Sequence, residues 1–177
     1  TRWKMEASTS EAKNAAENIS MVLYLMDEEP EEVAASGQAF LQPGVEDVVF
    51  LTMRFGSGRV AHIHVSWLDP HKERRMTIVG SRKMVVFDDM QGQEKIRVYD
   101  KGVTRQDGAG APPYASYAEL LSLRQGDVLI PRIPATEPLQ LECREFLAAV
   151  RSGEPPRSDG PDGLAGVRVL EMAQEAL

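Results

Sequence analysis

Three histidines are the residues of this sequence best suited to bind a metal ion or to move protons. His62 and His64 share one face of a predicted strand, and His71 follows shortly after it. A metal site needs convergent ligands supported by carboxylates, and only Asp69 and Glu73 lie near them in the sequence. The pattern favours polar side chains on a sheet face or at an interface over a metal site, and a metal enzyme stays open as an alternative.

A glycine-rich turn has the spacing of a dinucleotide-binding loop. Residues 56–61 read G-x-G-x-x-A and follow an apolar run. In a true loop of this kind the glycines open a helix, whose N-terminus holds the pyrophosphate. Here residues 62–67 alternate with period two, which is typical of a returning strand, and no acidic residue stands where a ribose-binding carboxylate is needed. The sequence therefore predicts a β-hairpin, with no nucleotide site in this chain.

Other reactive groups have simpler structural interpretations. Cys143 shares a helical stripe with large apolar residues, which predicts a buried structural thiol rather than a nucleophile. Asp88 and Asp89 close a strand at a turn, where acidic side chains commonly accept local hydrogen bonds. Two basic pairs, Arg74-Arg75 and Arg82-Lys83, bracket one hairpin. Cations that blunt a sheet edge are favoured there over a seat for phosphate or carboxylate.

Composition limits the class of protein. The 177 residues fall within the usual range for one domain, and 42% hydrophobic with 27% charged residues is typical of a globular protein. The net charge of -7 opposes binding to nucleic acid or to an anionic membrane. No apolar run approaches the roughly twenty residues that span a bilayer, and the head of the chain lacks the apolar region of a signal peptide. We expect a cytoplasmic protein.

The elements that must position these groups follow from hydrophobic periodicity and from turn residues. A capping box from Ser8 to Glu11 precedes a predicted helix that ends in an acidic turn before Pro30. A meander of strands follows, then a loop over 101–113 and a hairpin that turns at 124–126. Two helices close the chain, the first capped by Thr136 and ended by Gly153, and the second capped by Asp159 or Asp162. The predicted strands cover residues 33–41, 45–55, 59–68, 74–79, 84–88, 94–100, 117–123 and 127–133.

Both faces of several strands carry apolar residues, whereas a sheet covered on one face only should alternate more cleanly. The fold class predicted is α+β: an open, largely antiparallel sheet of about six or more strands, with helices packed on one face. We expect the other face to form a homo-oligomer interface.

Several sequence motifs resemble one enzyme family. They lie in Asp47 to Ala61, Val65 to Pro70, Arg74 to Ser81 and Phe87 to Asp89. In this order they resemble the C-terminal domain of the glucose-fructose oxidoreductase / inositol dehydrogenase (Gfo/Idh/MocA) family. The tail from Ser116 onwards is similar to the branch that acts on nucleotide-linked amino sugars, and the resemblance extends from about Ile19 to Leu177.

The resemblance implies a two-domain dehydrogenase that oxidises a sugar hydroxyl by hydride transfer to NAD or NADP. Its N-terminal domain would hold the cofactor and a catalytic lysine, and neither is found in this chain. Residues 1–177 would then be a single substrate-binding and oligomerisation domain that binds no cofactor or metal and does not catalyse alone. A non-catalytic dimerisation or ligand-binding module is the alternative.

The same resemblance suggests where the sugar or nucleotide sugar binds. Members usually carry an Asp and a His just before the first helix segment, but Lys13, Glu17 and Asn18 occupy that stretch here. Either the N-terminal segment of this chain is not the natural junction with the preceding domain, or this member has lost the usual acid/base group. No catalytic residue is therefore assigned. The substrate-binding candidates are Glu17, Asn18, Tyr117 and Arg124.

Overall fold

A computed structural model describes residues 4–9, 15–105, 121–134 and 136–177. In chain order the elements are β1 (Lys4–Thr9), α1 (Ala15–Met26), β2 (Pro30–Gln38), β3 (Val48–Phe55), β4 (Val60–Ser66), β5 (Arg74–Val79), β6 (Met84–Asp88), β7 (Ile96–Arg105), β8 (Leu121–Leu129), α2 (Pro138–Ser152) and α3 (Gly160–Ala176). The described strands form one sheet in the order β2-β3-β4-β1-β5-β6-β7-β8. The pair β1 and β4 is parallel, and every other neighbouring pair is antiparallel. The predicted α+β class with an open, largely antiparallel sheet is confirmed.

Strand β1 corrects the predicted element order, which began with a helix. Ser8 lies in this strand opposite His64 of β4 and Arg75 of β5, so it is not the start of a capping box. Strands β4 and β5 are consecutive in sequence, yet β1 separates them in the sheet. Its sequence, KMEAST, contains no aromatic residue and only one β-branched residue, Thr9, so its place depends on pairing with two neighbours rather than on propensity.

The core lies between the sheet and two helices. Buried side chains of α1, including Ile19 and Val22, pack with Met5 of β1 and with Met53 and Ile63 of β3 and β4. The C-terminal helix α3 joins this core through two buried residues of its own and contacts both α1 and β2. Helices α1 and α3 thus cover one face of the sheet, as the sequence predicted.

Helix α2 departs from that expectation because it has no buried residue. Its apolar side chains are exposed, with Phe146 and Val150 about two-thirds accessible at 64% and 66%. Cys143 is exposed for the same reason, so the predicted buried thiol is wrong. The helical stripe exists, but no described residue covers it.

The region after β7 contains two further corrections. The strand β7 continues to Arg105, so residues 101–105 are not a loop. The segment 124–126 is not a turn, because β8 runs straight through it and pairs with β7. A register shift between Tyr99 and Lys101 marks a bulge, and a Cβ on Gly126 would lie 2.7 Å from the Asp100 carbonyl oxygen. Glycine is needed there for close strand approach, not to turn the chain.

The helix ends were mostly well predicted. Asp159 caps α3 and forms a capping box with Asp162, and Gly153 ends α2 with a φ of 76°. Thr136 is not the cap of α2, since Glu137 occupies that position. The bounds of the remaining strands differ from the predicted ones by a few residues, and those of β5 and β6 are the same.

Candidate functional site

A small groove lies where the N-terminal half of α1 meets the adjacent ends of β5 and β6. It encloses about 180 Å³ and is lined by residues of all three elements. Glu17 and Asn18, two of the four substrate-binding candidates, both lie in it. Their prediction as a binding pair remains a prediction, but the fold places them side by side at the same groove.

The two α1 residues occupy different depths. Asn18 is 7% exposed, whereas the preceding residue, Glu17, lies on the solvent side of the helix. Asn18 belongs to the buried stripe that continues through Val22 and Met26, four residues apart along the helix. Its amide Nδ2 is buried and has no hydrogen-bond partner among the described residues. The groove therefore combines an accessible carboxylate with a buried amide donor.

The opposite wall carries an ionic cluster around Asp89. The Lys95 ammonium lies 2.7 Å from Asp89 Oδ1, and the Arg74 guanidinium lies 3.9 Å from Asp89 Oδ2. The backbone reinforces this arrangement, since the Asp89 N–H donates to the Arg74 carbonyl oxygen at 3.0 Å. Antiparallel pairing of β5 with β6 brings the arginine and the aspartate together although they are far apart in sequence.

Sequence reasoning missed Arg74 and Asp89 as groove residues. The sequence analysis interpreted Arg74-Arg75 as cations that blunt a sheet edge. It interpreted Asp88-Asp89 as acidic residues that accept local hydrogen bonds at a turn. For Asp88 the second interpretation is confirmed, because its carboxylate accepts from the Met90 N–H at 3.0 Å. The predicted β5–β6 hairpin already implied this register, and the register alone would have placed Arg74 next to Asp89.

The floor of the groove is apolar. Met76 and Phe87 are cross-strand partners on the covered face, and Met21 of α1 joins them. An apolar and aromatic floor beneath carboxylate, amide and guanidinium groups suits a sugar, because a pyranose offers both C–H faces and hydroxyl groups. The chemistry that these walls can perform is binding and orientation of a small polyol.

The other two binding candidates are not brought to this groove. Tyr117 lies outside the described residues. Arg124 of β8 bonds Asp100 at 2.8 Å and donates to the Arg82 carbonyl oxygen, next to the β5–β6 turn. Because β5 advances about 3.3 Å per residue, this turn lies roughly 17 Å from the Arg74 end of the same strand. Arg124 and Asn18 therefore lie at opposite ends of the β5–β6 hairpin.

The G-x-G-x-x-A turn is a β-hairpin, as predicted, and its first glycine, Gly56, faces carboxylates. Strands β3 and β4 pair on either side of it. The Ser57 N–H donates to Glu28 Oε1 at 3.0 Å, and a Cβ on Gly56 would lie 2.5 Å from the Glu31 carboxylate. A hydrogen bond from the Ser57 side chain, with the Arg59 guanidinium, holds the pKa of Glu28 below its ordinary value. The residues present therefore do not fit a pyrophosphate, which these carboxylates would repel.

The histidines do not converge. His62 Nδ1 lies 3.0 Å from Thr52 Oγ1, and the His64 ring stacks on Phe50 with centroids 4.6 Å apart, both on the open sheet face. His71 lies on the connection between β4 and β5. Within the described ranges no group of three metal-binding side chains is found. Nor, in that part of the chain, is any helix long and apolar enough to cross a membrane.

Comparison with known proteins gives the class of this domain. Residues 18–86 match the family model described as the GFO/IDH/MocA C-terminal domain. This match confirms that the chain resembles the C-terminal domain of this oxidoreductase family over these residues. No match to the sequence of a curated protein is found.

Solved structures share the fold over almost the whole chain. A putative oxidoreductase from Magnetospirillum magnetotacticum MS-1 is 27% identical, with 97% of this chain and 54% of that one covered and a TM-score of 0.66. UDP-N-acetylglucosamine 3-dehydrogenase GnnA from Acidithiobacillus ferrooxidans is 22% identical, with 98% and 52% covered and a TM-score of 0.66. GenD2 from gentamicin A biosynthesis, in complex with NAD, is 16% identical, with 99% and 52% covered and a TM-score of 0.66. The chain spans about half the length of these structures.

Proposed function

We propose that this chain is the substrate-binding and oligomerisation half of an NAD(P)-dependent sugar oxidoreductase. The observation that carries the proposal is the groove between α1 and β5–β6, where polar walls enclose an apolar floor within a domain of an oxidoreductase family. The names of two similar structures supply the substrate class and the cofactor: one is a UDP-N-acetylglucosamine dehydrogenase and the other holds NAD. A sugar or nucleotide sugar is therefore the proposed ligand of the groove.

In this proposal the nicotinamide would accept a hydride from the sugar carbon, and residues outside this chain would hold it. The chain itself binds and orients the sugar: carboxylates of Glu17 and Asp89 accept hydrogen bonds from hydroxyl groups, and Arg74 donates. Orientation matters because hydride transfer requires the reacting carbon to be held against the cofactor. The exposed apolar side of α2 is available to contact the part of a longer protein that holds the cofactor.

The catalytic part of the proposal is tested with the full-length protein that contains this chain. We expect NAD or NADP reduction at 340 nm with sugars or UDP-sugars as substrates. A protein that binds these sugars without reducing either nucleotide would instead be the non-catalytic binding module. A protein that neither binds nor oxidises any of them would contradict the proposed function.

The location of the site is tested with two matched variants. Glu17→Ala removes a groove carboxylate, and we expect its apparent KM for the sugar to rise by about tenfold, the usual cost of one lost hydrogen bond to a charged group. Arg124→Ala removes a side chain at the other end of the hairpin, and its KM should stay unchanged. An unchanged KM in Glu17→Ala together with a raised KM in Arg124→Ala would mean that the sugar binds near Arg124 instead.

We further propose that the open sheet face forms a homo-oligomer. Phe50 is 53% exposed and its ring stacks on His64, and Val79 and Val128 expose apolar surface on the same face. Thr52 and His62 add a hydrogen-bonded polar pair beside them. Exposed aromatic and aliphatic side chains beside polar ones support the use of this face as an assembly surface. Sedimentation of the full-length protein as a monomer at micromolar concentration would contradict it.

A further inference from the structure

Helix α2 carries an apolar stripe that no described residue covers. Five side chains at helical spacing form this stripe: Leu139, Cys143, Phe146, Leu147 and Val150. At about 100° per residue they fall within an arc of roughly 100°, and the charged residues of the helix all lie outside it. All five are exposed, the four larger ones by 49–66%. A helix of a globular protein turns an apolar arc of this width towards a core.

The helix needs a surface that covers this stripe. Helix α2 has 15 residues, and an isolated helix of about that length is marginal in water even with good helix formers. Most helical stability in proteins comes from packing of the amphipathic face against another surface. The stripe of α1 is packed in this way, since Ile19, Val22 and Met26 are at most 2% exposed. Helix α2 therefore requires a partner surface that the described part of the chain does not supply.

Two observations favour the same polypeptide over a second copy as the source of that surface. The similar solved structures match 97–99% of this chain, yet this chain spans only about half of theirs. In a polypeptide of that length the other half is linked covalently to α2, which gives it an effective concentration on the order of millimolar. The stripe is also only about 22 Å long, at about 1.5 Å per residue. This length suits a contact between domains better than the roughly 2,000 Å² or more of an obligate dimer.

We propose that the apolar stripe of α2 is the surface through which this domain packs on the remaining part of the same polypeptide, the part that holds the cofactor. The inference rests on the proposed function in one respect, because it takes this chain to be part of a longer protein. The partner surface is apolar opposite the stripe and polar beside the flanking Glu142 and Arg151. Cys143 in the middle of the stripe is then exposed in this domain by itself and shielded in the full-length protein.

The test measures how fast N-ethylmaleimide modifies Cys143, the only cysteine of this chain, in the full-length protein. The matched control is an Ala148→Cys variant, which adds a second thiol at an exposed position roughly 140° around α2 from Cys143. Trypsin cleaves after Arg144, so the two thiols are quantified in different peptides by mass spectrometry. Each rate is divided by the rate of the same thiol in unfolded protein. We expect Cys143 to be modified at least about tenfold more slowly than the introduced thiol, because modification requires local opening of the contact.

Equal normalised rates would overturn the proposal, because the stripe would then be open to solvent in the full-length protein. The measurement is repeated on the monomer, obtained by dilution or with Phe50→Asp and checked by sedimentation. Protection of Cys143 that persists in the monomer supports the proposal. Protection that is lost on dissociation would mean that a second copy covers α2, and the proposal would be wrong.

The outcomes also distinguish this inference from the proposed function. Equal rates for the two thiols in a protein that oxidises sugars would make the α2 contact wrong while the function stands. A shielded Cys143 in a protein that neither binds nor oxidises a sugar would support the contact and contradict the function.

Discussion

At the scale of single residues, Glu28 shows why the nucleotide-like turn does not suit a pyrophosphate. The acidic segment after α1 looks like solvated turn residues in the sequence, but Glu28 reaches the β3–β4 hairpin. It accepts from the Ser57 N–H and pairs with the Arg59 guanidinium at 2.5 Å. The backbone N–H that would face a phosphate in a cofactor loop therefore already has an anionic partner from the same chain.

This contact predicts a pH-dependent contribution to stability. The hydrogen bond from the Ser57 side chain and the charge of Arg59 lower the pKa of Glu28 in the folded state. A lowered pKa means that the contribution is fully present above the ordinary pKa of an unfolded glutamate and is lost as pH falls through the folded pKa. We expect Glu28→Gln to lower Tm at pH 7 and to match the wild type in strong acid.

The control for this prediction is Glu32→Gln. Glu32 forms an exposed pair with Arg54 at 3.5 Å, and exposed pairs contribute little. Its Tm should stay close to that of the wild type at both pH values. Equal Tm values for the two variants at pH 7 would show that the Glu28 contact does not stabilise the hairpin.

At the scale of elements, β1 is a central strand whose sequence does not look like one. It pairs with β4 on one side and β5 on the other, and its Met5 is 2% exposed in the middle of the core. Met5→Ala should therefore reduce the free energy of unfolding by about 2–5 kcal/mol, the range for truncating a buried methionine. The matched control is Met90→Ala at a 49% exposed turn residue, which should change it by less than about 0.5 kcal/mol. Equal effects in denaturant titrations would place β1 outside the core.

The bulge between β7 and β8 gives a second prediction at this scale. A Cβ at Gly126 would lie 2.7 Å from a backbone oxygen of Asp100, which cannot move without displacing β7. Gly126→Ala should thus destabilise the domain by about 1–3 kcal/mol, as overpacking does. Gly92→Ala is the control, since its Cβ would meet no atom within 4 Å. A neutral Gly126→Ala in the same titration would mean that the two strands separate easily at the bulge.

At the scale of the whole molecule, the two sides of the sheet present different surfaces. The side covered by α1 and α3 contains the core and the groove, and the open side presents Phe50, His64 and their neighbours. We predict that Phe50→Asp converts the oligomer to a smaller species in sedimentation velocity, because a charge buried at an apolar contact is costly. Tyr24→Asp, at a 68% exposed position of α1 on the opposite side, should leave the assembly intact. Identical sedimentation of Phe50→Asp and wild type would exclude this face as the interface.

The sequence by itself determined the elements whose signals are local. Period-two alternation marked β3 to β6, glycine and acidic caps marked the ends of α2 and α3, and the returning strand after Gly58 excluded a nucleotide loop. The family motifs followed from the same residues, as did the prediction that Glu17 and Asn18 bind the substrate. These properties depend on residues that are close together in the sequence, so the sequence alone is enough to predict them.

Only the tertiary structure decided which residues meet. The insertion of β1 between β4 and β5, the burial of Asn18 and the separation of Arg124 from the groove all depend on packing between distant segments. The exposure of Cys143 likewise depends on what covers α2, which periodicity cannot show. Helical and strand patterns state that a face is apolar, whereas long-range packing selects the surface that covers it.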